Sequence, residues 1–330
     1  MKQAYMTTED ITAALKNWIP YKLFREEDTA CCRWLYTGEE KFTEPFFDDT
    51  IATCRKFLYN SKMTRCVSSM EILPEWADSM DAVKPTAFIF HVSRCGSTLV
   101  SQLLGLNPAN IILSEVPFFD ELLRWGHNNK EMKTILPWLG AAVKLYGTKR
   151  EDVNQRLFIK TDSWHIHFYK QLRELYPTTP FILLYRRPDE VIRSQQKRRG
   201  MQAVPGVIEP SVFGFDTNKI TTTKLDEYMA AVIETYLTAF IDILKSDRLS
   251  FPVNYNEGAI AIVKKIAAIT GISLSEQEIA VMKQRSVFHA KYPEQVFEEP
   301  SIKDTPPAYM QKVFELYDEA EAIRISRGNA

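Results

Sequence analysis

From about residue 86 onward, the chain alternates short apolar runs with stretches whose apolar residues recur every three or four positions. The first pattern is typical of buried strands, and the second is typical of amphipathic helices that cover a sheet. Strands are predicted at five places along the chain: 87–92, 110–113, 157–160, 181–185 and 249–254. This alternation predicts an α/β fold, a doubly wound and mostly parallel sheet with helices on both faces.

Helical patterns lie between these strands. In the first of them, Leu99 with Leu103 and Val100 with Leu104 are spaced four apart, as on one face of a helix. Helices are predicted at 98–106, 165–175, 189–199, 225–245, 259–270 and 275–285. The stretch 200–221 has three glycines, two prolines and weak periodicity, which predicts a long loop, and loops of that length are more often functional than idle.

Residues 1–85 do not follow this rhythm. A helix is predicted near residues 9–18, and several aromatic residues, such as Trp34 and Phe42, follow without a clear period. The pattern therefore predicts two regions: an N-terminal accessory region at 1–85 and an α/β domain at 86–330.

Composition narrows the possible partners. The 330 residues are 45% hydrophobic and 25% charged, enough to bury a large core. The formal net charge is −1 and the sequence pI is about 6.6, so no global basic field exists to gather nucleic acid or an anionic membrane surface. We expect neither of those partners, and any anion site must be local.

The cysteines and the N-terminus point to a reducing compartment. The five cysteines are odd in number and show no CxxC spacing, which disfavours a disulfide framework or a zinc site. The N-terminus carries charge where a signal peptide needs an apolar run, and no apolar stretch is long enough to span a bilayer. These features predict a cytoplasmic protein.

Residues 91–98, HVSRCGST, lie directly between a predicted strand and a predicted helix. Such a junction of small residues directs backbone N–H groups and the positive helix end at one spot, which suits a phosphate. Against the nucleotide-triphosphatase pattern G-x-x-x-x-G-K-(S/T), Gly96 and Thr98 match, but His91 replaces the first glycine and Ser97 replaces the lysine. The positive charge of this loop is carried by Arg94, and ordinary Mg·ATP chemistry is disfavoured.

A second strand-to-helix junction lies at 185–194, YRRPDEVIRS. Pro188 suits the first helical turn, and Asp189 and Glu190 suit its positive end. Arg186 and Ser194 are eight residues apart and can converge on a further anion, since no other obvious anion is available to them. Two separated anion sites on one sheet fit a nucleotide with phosphates at both its 5′ and its 3′ position.

With these two junctions, the chain resembles the sulfotransferase family. The family's 5′ loop, K/R-S-G-S/T-S/T after a strand, is similar to 94–98, and its 3′ segment, R-x-P-x-x-V-x-x-S, is similar to 186–194. A weaker likeness covers 255–257 and the helix that follows, and the whole resemblance spans roughly 86–290. It implies a P-loop-type fold, 3′-phosphoadenosine 5′-phosphosulfate as co-substrate, no metal, and sulfuryl transfer to a hydroxyl or amine of a small-molecule acceptor.

The resemblance also implies site residues. Those expected to bind the nucleotide are Arg94, Cys95, Gly96, Ser97, Thr98, Arg186 and Ser194. Arg94 is also expected to be catalytic, because a permanently charged planar donor can stabilise charge on the leaving phosphate and the moving sulfuryl group.

The general base is less closely defined. One branch of the family has a loop lysine, a K-T-H segment with the base and a glycine-rich C-terminal lid; this chain has Arg94, Lys160-Thr161-Asp162 and no such lid. It looks closer to the branch with a loop arginine and a glutamate base just after the second strand, which falls on Glu115. Asp162, just after the third predicted strand, is the alternative base.

Two other classes of protein remain open. One is a P-loop kinase-like phosphotransferase that uses a nucleoside triphosphate, and the other is a nucleotide-binding module without catalysis. The missing loop lysine disfavours the first of these. Neither the acceptor nor the oligomeric state follows from the sequence.

Overall fold

The computed structural model describes residues 8–61, 65–216, 224–288 and 307–328. The elements of the N-terminal part are α1 (Thr8–Leu15), β1 (Trp18–Glu26), β2 (Thr29–Tyr36), α2 (Phe47–Cys54), β3 (Val67–Ser69) and α3 (Leu73–Asp78). The elements that follow are β4 (Pro85–His91), α4 (Ser97–Gly105), β5 (Asn110–Ser114), α5 (Pro117–Asn129), α6 (Met132–Tyr146), β6 (Arg156–Lys160), α7 (Tyr169–Leu175), β7 (Phe181–Tyr185), α8 (Pro188–Lys197), α9 (Leu225–Ser246), β8 (Ser250–Asn254), α10 (Ala259–Ile269), α11 (Glu276–Ser286) and α12 (Gln311–Gly328).

All five predicted strands are present, as β4 to β8, and they form one parallel sheet flanked by helices. The strand order is β5-β6-β4-β7-β8, so the connection that leaves β4 leads to one side of the sheet, to the edge strand β5, whereas β7 and β8 lie on the other side of β4. This confirms the predicted doubly wound α/β fold. In such sheets, ligands bind beyond the carboxyl ends of the strands where the winding changes direction, which here is the end of β4.

Two predicted helices differ from the structure. The first ends at Leu15, before Trp18, because Trp18 begins β1 and faces Tyr36 of β2, with ring centroids 5.2 Å apart. The second begins as a 3-10 helix, Ser163–Phe168, before α7. Helices α5, α6 and α12 were not predicted, since their apolar positions were not recognised as a helical pattern.

Contacts divide the chain into two compact units, of which the first comprises residues 1–86 and 105–159. Its strands β1, β2 and β3 form an antiparallel sheet, and α5 and α6 pack on each other and on β1. Tyr146 of α6 lies beside the rings of Phe47 and Phe119, and its hydroxyl donates to the carbonyl of Pro20 at 2.7 Å. An aromatic cluster thus joins the helices to β1.

The second unit comprises residues 87–104 and 160–330. Strand β7 pairs in parallel with β4, Phe88 opposite Phe181, and with β8, Tyr185 opposite Asn254. Every residue of β7 is buried, as its continuous apolar sequence predicts. Helix α9 packs against α8 and α12. The boundary predicted at residues 85 and 86 stays a prediction.

The predicted loop at 200–221 contains two short 3-10 turns, Met201–Ala203 and Pro210–Phe213, and residues 217–221 lie outside the described residues. Of the helices that the structure describes, none combines the length and the apolar character needed to cross a bilayer.

Candidate functional site

The loop between β4 and α4 has an unusual backbone. Ser93 and Arg94 have φ angles of 66° and 48°, and Gly96 has a φ angle of 75°. Non-glycine residues rarely adopt this left-handed region, and strain of this kind concentrates at functional sites. The three residues turn the chain sharply from the central strand into the helix, at the position where α/β sheets bind ligands.

Gly96 is required for two reasons. Its positive φ disfavours any side chain, and a Cβ there would collide with the ring of Tyr255. Tyr255 directly follows β8 and begins the segment whose family likeness was weakest in the sequence. The structure thus brings the end of β8 onto the loop after β4.

Arg186, just after β7, is buried and holds this arrangement together. Its Nη1 donates to the carbonyl oxygen of Arg94 at 3.2 Å, and its guanidinium carbon lies 4.4 Å from the centroid of the Tyr255 ring. Its Nε donates to the carboxylate of Glu190 at 2.9 Å. The sequence interpretation that Arg186 has no other anion to hold is therefore wrong, because the first turn of α8 presents Glu190 to it.

Ser194 is half-buried on α8, one helical turn beyond Glu190, and its convergence with Arg186 on an anion stays a prediction. The next residue, Gln195, is buried and donates from Nε2 to the Ser93 hydroxyl at 3.2 Å; Gln202 donates to the same hydroxyl at 2.6 Å. No pattern in the sequence pointed to these two amides. They tie the end of α8 and the start of the following loop to the loop after β4.

Two of the predicted nucleotide-binding side chains contact carbonyl oxygens of the chain itself. The Arg94 guanidinium donates to the carbonyl oxygen of Arg198, just past the end of α8. The Cys95 thiol is fully buried and lies 3.5 Å from the carbonyl oxygen of Leu184 in β7, and burial raises its pKa to about 12. Cys95 can therefore serve an anion through its backbone alone.

Lys160, the last residue of β6, was missed as a site residue. Its side chain is buried and its Nζ lies 3.4 Å from the Thr98 hydroxyl in the first turn of α4. The only sequence signal was a lysine ending an apolar strand, which commonly means a solvated strand end. Ser97, beside Thr98, is also buried, so a cation and two hydroxyl residues meet where α4 begins.

His91 ends β4 and is held in one tautomer. Its Nδ1 accepts a hydrogen bond from the Ser93 N–H at 3.1 Å, and its Nε2 lies 2.9 Å from the carbonyl oxygen of Thr161. A carbonyl can only accept, so we assign the proton to Nε2 of a neutral imidazole. His91 therefore supports the loop backbone rather than supplying charge.

The two candidate bases belong to different units. Glu115 follows β5, is half-buried and has a φ angle of 53°. Its negative charge acts on Asp48, whose pKa is raised mainly by burial and further by the charges of Asp49 and Glu115. Asp162 is buried at the start of the 3-10 helix, with its carboxylate 3.7 Å from Nε2 of His165. Both residues stay candidates for the base.

In the second unit, these residues surround one strand-end loop and make it a candidate anion site. A glycine loop after the central strand is flanked by two buried cations, Lys160 and Arg186, which come from the ends of β6 and β7. Buried cations of this kind are costly unless an anion compensates them, and Arg186 is compensated in part by Glu190. For a phosphate-like group at this loop, the positive charge would come from Lys160 and Arg186, which lie outside the loop.

No family model matches the chain, and no curated protein matches it. Among solved structures, it is similar to a sulfotransferase from Alicyclobacillus acidocaldarius, with 14% identity, coverage of 74% of this chain and 95% of the other, and a TM-score of 0.38. It is also similar to a sulfotransferase from Mycobacterium tuberculosis, with 15% identity, coverage of 64% and 73%, and a TM-score of 0.38. Both are members of the family that the two junctions resemble, but such distant likenesses establish neither an activity nor a substrate for this chain.

Proposed function

We propose that the protein is a sulfotransferase that moves a sulfuryl group from 3′-phosphoadenosine 5′-phosphosulfate to a hydroxyl or amine of a small-molecule acceptor. One observation carries this proposal: Lys160 and Arg186 are buried on either side of a phosphate-type loop that lacks its own lysine. A nucleoside triphosphate needs that lysine and a bound Mg²⁺. A phosphosulfate needs only that its leaving phosphate be neutralised, which protein cations can do without a metal.

In the proposed reaction, the backbone of 96–98 and the hydroxyls of Ser97 and Thr98 hold the 5′-phosphate. Lys160, within reach of Thr98, and Arg94 neutralise this phosphate as it becomes the leaving group. The acceptor oxygen forms a bond to sulfur while the bond between sulfur and the 5′-phosphate oxygen breaks. The acceptor proton passes to a carboxylate, which we assign to Glu115, with Asp162 as the alternative.

Arg186 and Ser194 are proposed to hold the 3′-phosphate. Because Glu190 already accepts from Arg186, the 3′-phosphate competes with that carboxylate or shares the guanidinium with it. An open pocket of about 500 Å³, lined by Leu99, Tyr255 and the start of α10, lies beside these groups and suits the nucleoside. Tyr255 stacks against Arg186 and borders this pocket, which makes it a contact for both phosphate and nucleoside.

The test compares the calorimetric affinities of adenosine 3′,5′-bisphosphate and AMP. We expect the bisphosphate to bind at least about tenfold more tightly, and Arg186→Ala to lose roughly 1.5–3 kcal/mol of bisphosphate binding, as for a charge-assisted hydrogen bond. Because Arg186 also supports the loop, the decisive quantity is the ratio of the two affinities, which falls toward one in this variant. Arg193→Ala, which removes an ion pair on the same helix, is the control and keeps the ratio. Equal affinities in the wild-type protein contradict the 3′ site.

A further inference from the structure

The first unit contains a pocket of about 600 Å³ at the amino end of β5. Asn110, the first residue of β5, lines it, together with Phe42, Leu106, Ile111 and Arg150. Glu115 follows the opposite end of the same five-residue strand, roughly 16 Å away at the usual rise of a strand. None of the residues assigned to sulfuryl transfer lines this pocket.

Arg150 forms one wall of the pocket and is incompletely bonded. Its Nη1 donates to the carbonyl oxygen of Tyr146 at 3.4 Å, and its guanidinium carbon lies 3.9 Å from the centroid of the Phe42 ring. Its Nε and Nη2 are buried and have no hydrogen-bond partner among the described residues. The N–H groups of Nε and Nη2 point the same way from one edge of the guanidinium, which is an edge that grips a carboxylate or phosphate with two parallel bonds.

The charge of Arg150 is also uncompensated. Burial lowers the pKa of Arg150 to about 10, and the groups that act on it electrostatically, within the described part of the chain, are Cys54 and Tyr146. Neither is an anion at neutral pH, because burial raises the pKa of Cys54 to about 11 and that of Tyr146 well above its ordinary value. A buried cation whose hydrogen-bonding edge meets no counterion is costly, so this edge favours an anion.

The other charged side chains of the pocket do not supply an anion to Arg150. Lys41 and Glu151 are paired with each other at 2.8 Å, and the remaining charged lining residues are Lys16, Glu39 and Glu40. The lining carries equal numbers of positive and negative side chains. The hydrogen bonds still to be made are those of Nε and Nη2 of Arg150.

We propose that this pocket binds a small organic anion, with its carboxylate, sulfate or phosphate group on Nε and Nη2 of Arg150. The apolar body of the ligand packs on Leu106 and Ile111. Because the two nitrogens are buried, binding requires a local rearrangement that exposes them to the ligand. A pocket of this size accommodates a ligand of one ring with its charged group.

The experiment uses four probes with a similar apolar body: benzoate, phenyl sulfate, phenyl phosphate and uncharged benzyl alcohol. In calorimetry with the full chain, we expect saturable one-to-one binding of at least one anion and none of benzyl alcohol. Arg150→Lys keeps the charge but loses the two-pronged edge, so it weakens that binding at least about tenfold. Lys41→Gln, a pocket cation already paired with Glu151, changes it less than about threefold, and Arg186→Ala leaves it unchanged.

A second variant guards against misfolding of Arg150→Lys. Leu106 is 41% exposed, so Leu106→Glu keeps the fold while placing a negative charge on the pocket wall, and we expect it to weaken anion binding about tenfold or more. Absence of saturable binding to the wild-type chain overturns the proposal. Wild-type affinity in a folded Arg150→Lys chain, or in Leu106→Glu, overturns it as well.

Discussion

At the scale of single residues, positive φ angles occur at or beside residues that are candidates for the proposed reaction. In the described part of the chain, non-glycine residues with positive φ include Ser93, Arg94 and Glu115, each just after a strand of the sheet. Holding such a residue left-handed costs roughly 1–2 kcal/mol, which the rest of the fold must offset. In the second unit, the offset comes from bonds such as that of Arg186 to the Arg94 carbonyl.

Gly96→Ala tests the close approach of Tyr255 to the loop. Gly271 has a similar φ of 69° with open space around it, so Gly271→Ala measures backbone strain alone, roughly 1 kcal/mol. Gly96→Ala adds the collision with the ring, about a further 1–3 kcal/mol as for overpacking, and it disrupts nucleotide binding. Urea unfolding of both variants gives the comparison. Equal losses of stability speak against the close packing of Tyr255 on Gly96.

Arg94→Ala tests whether this arginine acts in the transition state. We expect nucleotide affinity to stay within roughly tenfold while turnover falls by about two orders of magnitude or more, because the contact strengthens as charge develops. Arg94→Lys retains part of the activity. Calorimetry and initial rates separate the two effects. Normal turnover of the alanine variant makes Arg94 a structural residue that only donates to the Arg198 carbonyl.

Glu115→Gln and Asp162→Asn form a matched pair for the base. Each keeps the size and polarity of the side chain but removes its basic form. We expect Glu115→Gln to lower turnover of a hydroxyl acceptor about a hundredfold or more, with nucleotide affinity almost unchanged. If Asp162→Asn behaves this way and Glu115→Gln stays active, the base is Asp162 and the sulfotransferase proposal stands.

At the scale of elements, α12 is fastened to the carboxyl ends of β7 and β8 through one carboxylate. Glu321 accepts from the Tyr185 hydroxyl at 2.5 Å, from Asn254 Nδ2 at 2.8 Å and from Arg324 Nη2 at 2.8 Å. Burial disfavours ionisation of Glu321, but the hydrogen bonds from Arg324, Tyr185 and Asn254 outweigh it and hold its pKa below the ordinary value of 4.5. The same strand ends carry Arg186 and Tyr255 into the proposed site.

This carboxylate makes stability depend on pH. Because the folded pKa of Glu321 is depressed, its stabilisation is fully present above pH 4.5 and is lost as the pH falls through the folded pKa. Glu321→Gln should therefore be less stable than the wild type at neutral pH, by roughly 1–3 kcal/mol, and the difference should narrow in acid. Glu319→Gln, on the exposed pair with Lys245, is the control and should show little effect. A difference that is constant with pH would exclude the ionised form as its source.

At the scale of the whole molecule, the sheet order decides which strand ends surround the loop of the proposed reaction. Strand β4 is central in the order β5-β6-β4-β7-β8, so the loop after β4 has β6 on one side and β7 on the other. Lys160 and Arg186, at the ends of those strands, therefore reach the loop from opposite sides. In the proposed reaction, Lys160 supplies, with Arg94, the positive charge at the leaving phosphate that a P-loop lysine and a metal supply elsewhere, and Arg186 supplies positive charge to the 3′-phosphate.

We therefore expect transfer to continue in the presence of a chelator. Sulfuryl transfer from the phosphosulfate donor, measured with and without EDTA, should differ less than about twofold, because no step of the proposed reaction needs a Lewis acid. Magnesium-dependent hydrolysis of ATP would instead support the phosphotransferase alternative. Tight binding of adenosine 3′,5′-bisphosphate without transfer to any acceptor would support a binding module.

The sequence by itself determined the five strands, the glycine loop and the order of the two junctions. These features are local. A buried parallel strand is recognisable as a continuous apolar run such as Phe181–Tyr185, and a loop before a helix is recognisable by its small residues. Fold class follows from the alternation of such segments along the chain. Gly96 and Arg186 were recognisable for the same reason, since each lies at a strand end.

Only the tertiary structure decided which groups meet. The reach of Lys160 to Thr98, the ring of Tyr255 over Gly96 and the unpaired edge of Arg150 each depend on segments far apart in the chain. No local pattern encodes such encounters, because burial and partner geometry arise when the strands assemble and side chains from different elements share one space.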